Sequence, residues 1–228
     1  MNTPTSIAII GGSGDLGSGL AKRWAAAGHR VIVGSRSAEK AMRAAAELGA
    51  SVGCAIEGMN NHSAAAAADV VVLTVPFSSH ADTLAEIRDA VTGKIVVDAV
   101  VPLKPPKVAT VQLPPEGSAA EIARAMLAES VRVVSAFHNV GASKLHAGEP
   151  VGCDVLVFGD DKDARDAVIA LVADIGARGV DGGALANSAA AEALTSVLIG
   201  INRRYKVQGA GIRITGLPEL GSAEGGIA

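Results

Sequence analysis

A glycine-rich turn near the amino terminus has the clearest chemical meaning in the sequence. It carries the pattern G-x-G-x-x-G over residues 12–17 and follows the apolar run Ser6–Ile10. Glycines at this spacing permit a tight turn, close approach of the backbone to a pyrophosphate, and close packing of a helix on a strand. The helix that follows presents free N–H groups and partial positive charge to phosphates. The turn therefore predicts dinucleotide contacts from Gly12, Ser13, Gly14, Asp15, Leu16 and Gly17, although such a turn can also be a simple connector.

The end of the second expected strand indicates which dinucleotide is bound. Enzymes that use NAD usually carry Asp or Glu there, which accepts hydrogen bonds from the ribose hydroxyls. This sequence has Ser35 and Arg36 instead, with Lys40 one turn into the next helix. A guanidinium, an ammonium and a hydroxyl suit a 2′-phosphate. The pattern favours NADP over NAD, and the alternative is a solvated basic helix start.

Two further strand ends are expected near the reactive end of the nucleotide. Val75 and Pro76 follow the run VVVLTV, and Val101 follows the run that ends at Asp98. In doubly wound sheets, ligands lie outside the carboxyl ends of the strands. These segments are therefore predicted to border the nicotinamide ribose, unless each proline only ends a strand.

Of the five histidines, His138 has the most suggestive position. It follows the run VRVVSAF at the carboxyl end of a predicted strand and is expected to line the substrate pocket. His80, just past the fourth strand, is a weaker candidate for a cofactor contact. The interpretation of His29, His62 and His146 is structural or solvated.

No set of catalytic side chains is evident in the sequence. There is no G-x-S-x-G turn, and no His/Cys cluster has metal-ligand spacing. Hydride transfer needs no protein nucleophile, because the cofactors carry the chemistry and the protein positions them. We therefore predict neither a catalytic residue nor a metal ligand.

Alternating strands and helices must position these groups. Strands are predicted at residues 6–10, 31–33, near Val52, and at 70–75, 95–98, 131–135 and 155–158. Helices are predicted at 15–27, after Ser37, and at 79–90, 118–127, 161–175 and 186–201. This alternation predicts an α/β fold, a doubly wound parallel Rossmann sheet with a small C-terminal α/β lobe. The expected domains are an NADP-binding domain at 1–135, a substrate-side lobe at 136–218 and a flexible tail at 219–228.

Composition excludes several classes of protein. The chain has 228 residues, of which 49% are hydrophobic and only 2% aromatic, so its core is aliphatic. A net charge of -3 without a basic stripe argues against nucleic acid as a partner. No signal-peptide core or long apolar span is present, so the expectation is a cytoplasmic protein that does not enter a membrane. Cys54 and Cys153 are interpreted as small buried hydrophobes.

Several segments together resemble one enzyme family. They are IIGGSGDLGSGLA, VIVGSRSAEKA, VVLTVP, VVSAFHNVGA and GALANS, in order along nearly the whole chain. The first two occur in many nucleotide-binding proteins, whereas the HNVGA and ALANS segments are more specific. The set resembles the NADPH:coenzyme F420 oxidoreductases, homodimers that move hydride between NADP(H) and an 8-hydroxy-5-deazaflavin.

The resemblance implies a role for particular residues. NADP would contact Ser13, Gly14, Asp15 and Leu16, with Ser35, Arg36 and Lys40 at the 2′-phosphate and Val75, Val101 and Ala142 near the nicotinamide. The deazaflavin would lie against His138, Asn139, Val140, Asn187 and Ser188. Its acidic tail would pass Arg203, Arg204 or Lys206, and the C-terminal part would contribute to the dimer interface.

Two positions depart from the family pattern, which has Asn in place of Asp15 and Pro in place of Gly141. The second change bears on the deazaflavin side. The alternatives are an NADPH-dependent reductase of a flavin, metal chelate or small imine, or a non-catalytic NADP-sensing module.

Overall fold

One eight-stranded sheet forms the centre of the computed structural model, which describes residues 4–148 and 150–217. The predicted tail at 219–228 lies outside these residues. The strands are β1 (Ser6–Ile10), β2 (Arg30–Ser35), β3 (Ile56–Asn60), β4 (Val70–Leu73), β5 (Ile95–Asp98), β6 (Arg132–Ser135), β7 (Asp154–Gly159) and β8 (Arg178–Gly183).

Strand order confirms the predicted fold class. The order is β3-β2-β1-β4-β5-β6-β7-β8, and the first six strands are parallel. The chain changes direction of winding between β1 and β4, which creates the crevice where doubly wound sheets bind ligands. β7 pairs antiparallel with β6 and β8 parallel with β7, so the residues after 136 extend the same sheet. The predicted domain boundary at residue 135 remains a prediction.

Helices cover both faces of the sheet. They are α1 (Asp15–Ala26), α2 (Ala38–Val52), α3 (Asn61–Ala66), α4 (His80–Ile87), α5 (Ala119–Met126), α6 (Ala142–His146), α7 (Lys162–Asp174) and α8 (Ser188–Tyr205). Side chains alternate along a strand, so Ile7 and Ile9 face the core that includes Leu20 and Trp24, while Ala8 and Ile10 face the opposite core. Both layers are aliphatic, as the composition predicts.

One predicted strand is wrong. Val52 is the last residue of α2, because buried positions at helical spacing (Ala41, Ala45 and Gly49) continue the helix to a left-handed cap at Gly53 (φ 67°). The strand begins at Ile56. β8 was not predicted at all, since its sequence RGVDGG lacks an apolar run. No helix within 4–148 or 150–217 is both long and apolar enough to cross a bilayer.

Candidate functional site

A cavity of about 670 Å³ opens at the carboxyl ends of the central strands. Nine residues predicted to bind the nucleotide line it: Ser13, Gly14, Asp15, Leu16, Ser35, Arg36, Val75, Pro76 and Val101. The cavity is also lined by residues that the sequence did not single out, namely Asn61, Phe77, Ser79, Thr83, Leu103 and Val108. All the lining residues together form a continuous groove from β2 across β1 and β4 to β5.

The three glycines of the turn differ in what they permit. A Cβ at Gly17 would lie 2.6 Å from the Thr74 hydroxyl and 2.8 Å from the Gly12 Cα, so this glycine allows the helix to pack on the strand ends. A Cβ at Gly12 would meet the Ile9 carbonyl at 2.9 Å. Gly14 has only the Gly11 carbonyl within reach, at 3.3 Å, and it faces the cavity. Gly12 and Gly17 therefore shape the turn, and Gly14 leaves room for a ligand.

The start of α1 offers hydrogen-bond donors to an anion. Gly14 is the N-cap, and no side chain of the described residues caps this helix of 12 residues. The N–H groups of a first helical turn have no intrahelical partner and carry partial positive charge. The exposed carboxylate of Asp15 lies at the same edge. The turn can bind a pyrophosphate through its backbone.

Arg36 gives the outer end of the cavity its positive charge. Of the described residues that line the cavity, it is the one cation, and Asp15 is the one carboxylate. Ser35 lies beside it, at the end of β2. Ser37 accepts a hydrogen bond from the Lys40 N–H (3.3 Å) and caps α2. The Lys40 side chain is exposed and does not line the cavity. The arrangement suits a phosphate near Arg36.

A buried histidine–carboxylate pair lies behind the cavity wall. The His80 Nε2 and the Asp98 Oδ2 are 2.7 Å apart, and the other Asp98 oxygen accepts the Val100 N–H at 2.9 Å. His80 stacks with Phe77, which lines the cavity (ring centroids 6.2 Å apart). The pair therefore fixes two lining segments, 77–79 and 99–101. Sequence reasoning considered His80 alone and missed Asp98.

His138, the predicted pocket histidine, is buried rather than part of the cavity lining. Its Nε2 lies 3.4 Å from the Ser135 hydroxyl, and its Nδ1 has no hydrogen-bond partner among the described residues. Burial lowers the pKa of His138 to about 4, although the charge of the nearby Asp98 partly opposes this shift. The imidazole is therefore neutral at physiological pH. Thr195, on α8, donates to the His138 carbonyl at 2.8 Å.

Glu192 on α8 is a buried carboxyl group that sequence reasoning missed. It accepts the Ala119 and Ala120 N–H groups, at 2.7 and 3.2 Å, at the start of α5. Burial raises its pKa to about 8, although the two N–H bonds lower it. The Ser188 hydroxyl, 2.9 Å from the Ser118 hydroxyl, makes a second link between the helices. A polar cluster thus joins α8 to the start of α5.

The remaining predicted residues lie apart from the cavity. The side chains of Asn139, Val140 and Ser188 are buried, and the Asn139 amide donates to the Asp154 carbonyl at 2.6 Å. Asn187 is exposed, and Ala142 begins α6, which packs on α1. The structure does not bring these residues to the 670 Å³ cavity, so their contacts with a second substrate remain predictions.

Gly141 differs from the expected proline for a visible structural reason. A Cβ at this position would lie 2.6 Å from the Gly209 Cα. Gly209 belongs to the segment after α8, which returns along β7, where the Ile212 carbonyl accepts a hydrogen bond from the Asp154 N–H at 2.8 Å. Glycine at 141 therefore permits this C-terminal segment to pack against the start of α6.

Comparisons with known proteins agree with this geometry. The family model described as "NADP oxidoreductase coenzyme F420-dependent" matches residues 6–102. The F420-dependent NADP reductase of Methanothermobacter thermautotrophicus is 48% identical over 93% of this chain and 96% of its own length. That of Methanocaldococcus jannaschii is 42% identical over 92% of this chain and 98% of its own.

A solved structure extends the likeness to three dimensions. The putative F420-dependent NADP reductase from Arthrobacter sp. FB24 has a TM-score of 0.77 and 25% identity. The match covers 92% of this chain and 99% of that one. With relatives above 40% identity over nearly their full length, this chain belongs to the family of F420-dependent NADP reductases.

Proposed function

We propose that this protein transfers hydride between NADP(H) and the deazaflavin coenzyme F420. The observation that carries the proposal is the cavity, which joins an uncapped helix start, a guanidinium at the β2 end and apolar walls at the β4 and β5 ends. The curated relatives, which match over nearly their full length, are named for this reaction.

The residues present fit an NADP molecule from one end to the other. Backbone N–H groups of 14–17 would bind the pyrophosphate. Ser35 and Arg36, which line the cavity, would bind the 2′-phosphate, together with Lys40 from outside the lining. Val75, Pro76 and Val101 would flank the nicotinamide ribose. Asn61 Oδ1, a buried oxygen with no donor among residues 4–148 and 150–217, would lie at the adenosine end, where a ligand could supply the missing donor.

Bound NADP supplies the hydride chemistry, and the protein orients the ring and excludes water. Phe77, Leu103 and Val108 contribute apolar surface to the cavity wall. His80 and Asp98 hold that wall from behind. No side chain need exchange a proton with a substrate carbon, since transfer is direct between the two ring systems.

The deazaflavin would rest beside the nicotinamide, on the strand end at 138–140 and on Ala142, Asn187 and Ser188. Within this set Asn187 is exposed and Ala142 partly exposed, whereas His138, Asn139 and Ser188 are buried. The exposed cations Arg203, Arg204 and Lys206 at the end of α8 would attract the acidic tail of the coenzyme.

A second copy of the chain would complete the assembly. Val197, Ile201 and Tyr205 are exposed at helical spacing on α8, with 47%, 37% and 69% of their surfaces accessible. An apolar stripe on a helix is suited to a partner surface. We propose a homodimer through α8, in the cytoplasm and without a nucleic-acid partner.

The test is turnover with purified components. NADPH and oxidised F420, mixed with the protein alone, should give loss of the deazaflavin absorbance and equimolar loss of NADPH. FMN and a cyclic imine serve as alternative acceptors in parallel. If either is reduced faster than F420, the acceptor assignment is wrong. Tight NADPH binding without turnover of any acceptor would favour an NADP sensor.

A further inference from the structure

Asn61 occupies a position that links β3 to the cavity. It is the first residue of α3, directly after the carboxyl end of β3, and it lines the cavity. The residue is only 3% exposed. Burying an amide side chain at the edge of a ligand cavity destabilises the fold unless its donors and its acceptor all form hydrogen bonds.

The orientation of the Asn61 amide is fixed by one neighbour. Its Nδ2 donates to the Glu86 Oε2 at 2.8 Å. A carboxylate accepts hydrogen bonds and has none to give, so the nitrogen of the amide must face Glu86. Its oxygen is then directed to the other side, where a Cβ on Gly34 would lie 3.3 Å from it.

The Asn61 oxygen has no partner within the described part of the chain. Oδ1 is buried, and no donor lies within hydrogen-bond distance among these residues. The other end of the same amide is satisfied, so the deficit is confined to an acceptor. A ligand that offers an N–H or O–H group at this point would remove the deficit.

The place of Asn61 in the sheet identifies which part of the ligand it faces. β3 and β2 are neighbours, and β2 ends at Ser35 and Arg36, which bind the 2′-phosphate in the proposed function. Asn61 therefore lies at the adenosine half of NADP. On that half, the donors are the 6-amino group of adenine and the ribose 3′-hydroxyl. The 3′-hydroxyl is next to the phosphate on the sugar, within the reach of Ser35.

The side of the sheet on which Asn61 lies favours the adenine 6-amino group over the ribose 3′-hydroxyl as its donor. Glu86 lies on α4, and α3 and α4 cover the same face of the sheet. Ser79 and Thr83 line the cavity from this side, where a planar base can lie against them. Asn61 also lines the cavity on this side, one strand farther out than Ser35.

We propose that Asn61 Oδ1 accepts a hydrogen bond from the 6-amino group of adenine and thereby selects adenine over a 6-oxopurine. Glu86 acts as a positioning residue that keeps the amide oxygen toward the base. This proposal rests on the assignment of NADP as the cofactor. Hypoxanthine presents a carbonyl oxygen in place of the amino group, which would set two acceptors against each other.

Direct binding measurements on the wild-type protein give the first test. NADPH and its hypoxanthine analogue, deamino-NADPH, share both phosphates, both riboses and the nicotinamide. Titrations followed by nicotinamide fluorescence or calorimetry should show NADPH bound about tenfold more tightly, consistent with one hydrogen bond and one repulsive contact. Equal affinities would overturn the proposal while leaving the NADP assignment intact. Failure of NADPH itself to bind would overturn the proposed function.

Two variants separate recognition of the base from a structural role. Asn61→Leu should weaken NADPH binding about tenfold and abolish the preference for adenine. In Glu86→Gln the neighbour can donate as well as accept, so the Asn61 amide can turn, and the preference should shift toward deamino-NADPH. Equal loss of both nucleotides in Asn61→Leu, with the preference retained in Glu86→Gln, would instead show a contact to the ribose or a packing role.

Discussion

His80 and Asp98 face each other 2.7 Å apart, with side chains 1% and 0% exposed. His80 begins α4 and Asp98 ends β5, so one contact joins the helix that borders the cavity to the strand that leads to Val101. The second Asp98 oxygen accepts the Val100 N–H. Both oxygens of this carboxylate therefore hold the wall that we assign to the nicotinamide.

Asp98→Ala should lower the free energy of unfolding by about 3–5 kcal/mol, because it leaves a buried histidine and a buried N–H without their acceptor. The matched control is Asp166→Ala, which removes the exposed pair between Lys162 and Asp166. That change should cost less than about 1 kcal/mol. Urea denaturation of both variants measures the difference, and similar losses would show that the buried pair has no special role.

Arg36→Ala should weaken NADPH binding by about ten- to a hundredfold and leave NADH nearly unchanged. The reason is the loss of a charge-assisted hydrogen bond to the 2′-phosphate, roughly 1.5–3 kcal/mol. Arg43→Ala is the control, since Arg43 is exposed on α2 and does not line the cavity. Titrations with both nucleotides test the assignment, which fails if NADPH and NADH lose affinity equally.

Gly14→Val and Gly17→Val should have different consequences. At Gly14 the added Cβ would contact the Gly11 carbonyl at 3.3 Å and the valine would face the cavity, so the variant should still fold and lose nucleotide affinity. At Gly17 the added Cβ meets Thr74 and Gly12 at 2.6 and 2.8 Å, so the variant should unfold at a lower temperature. Melting curves combined with NADPH titration distinguish the two effects. Undiminished affinity in Gly14→Val would identify the turn as a connector.

Ile201→Glu should convert the proposed homodimer into a monomer, because it inserts a charge into the apolar stripe on α8. Met42→Glu is the control. Met42 is 54% exposed on α2, outside that stripe, and should leave the assembly unchanged. Analytical ultracentrifugation gives the mass of each variant. A wild-type monomer, or a dimer that survives Ile201→Glu, would refute the interface.

The predictable part of the fold rests on buried parallel strands. Such strands are continuous apolar runs, and VVVL in β4 and IVVD in β5 are legible as such in the sequence. β8 has no such apolar run, because two of its six residues are consecutive glycines. Glycine is needed at 182, where a Cβ would lie 2.2 Å from the Phe158 ring. The strand character of β8 comes from packing against β7, which no local pattern records.

The candidate site likewise has a part that the local sequence predicts and a part that it does not. The glycine turn and Arg36 were predictable because backbone geometry and charge choice act within a few residues of each other. The His80–Asp98 pair and the Asn61–Glu86 pair join residues that are 18 and 25 positions apart, and only the folded sheet brings them together. For Asn61, a polar residue directly after a parallel strand was the one available signal.

His138 shows how a strand-end rule can mislead about a side chain. Phe137 adopts a left-handed backbone conformation (φ 71°), and its ring packs edge-on against Trp24 with centroids 5.7 Å apart. The next residue then lies inside the protein rather than at the cavity surface. The rule correctly located the strand end, but the direction of the side chain depends on this turn.

The burial of His138 predicts how stability depends on pH. Its pKa is about 4 in the folded protein, and the ordinary value of 6.5 applies to the unfolded chain. Between these values the unfolded chain binds the extra proton, so stability is complete above pH 6.5 and falls as the pH drops toward 4. The loss through this group amounts to about 3 kcal/mol.

His138→Gln should therefore show a smaller loss of stability between pH 7 and 5 than the wild type, in urea denaturation at each pH. Glu192 has a raised pKa, and its contribution falls as the pH rises from 4.5 toward 8, so it acts in the opposite direction in both proteins and cancels in the comparison. His62→Gln, on the exposed surface of α3, should keep the wild-type dependence. Identical acid sensitivity in His138→Gln and the wild type would show that this histidine does not govern the acid limit of the fold.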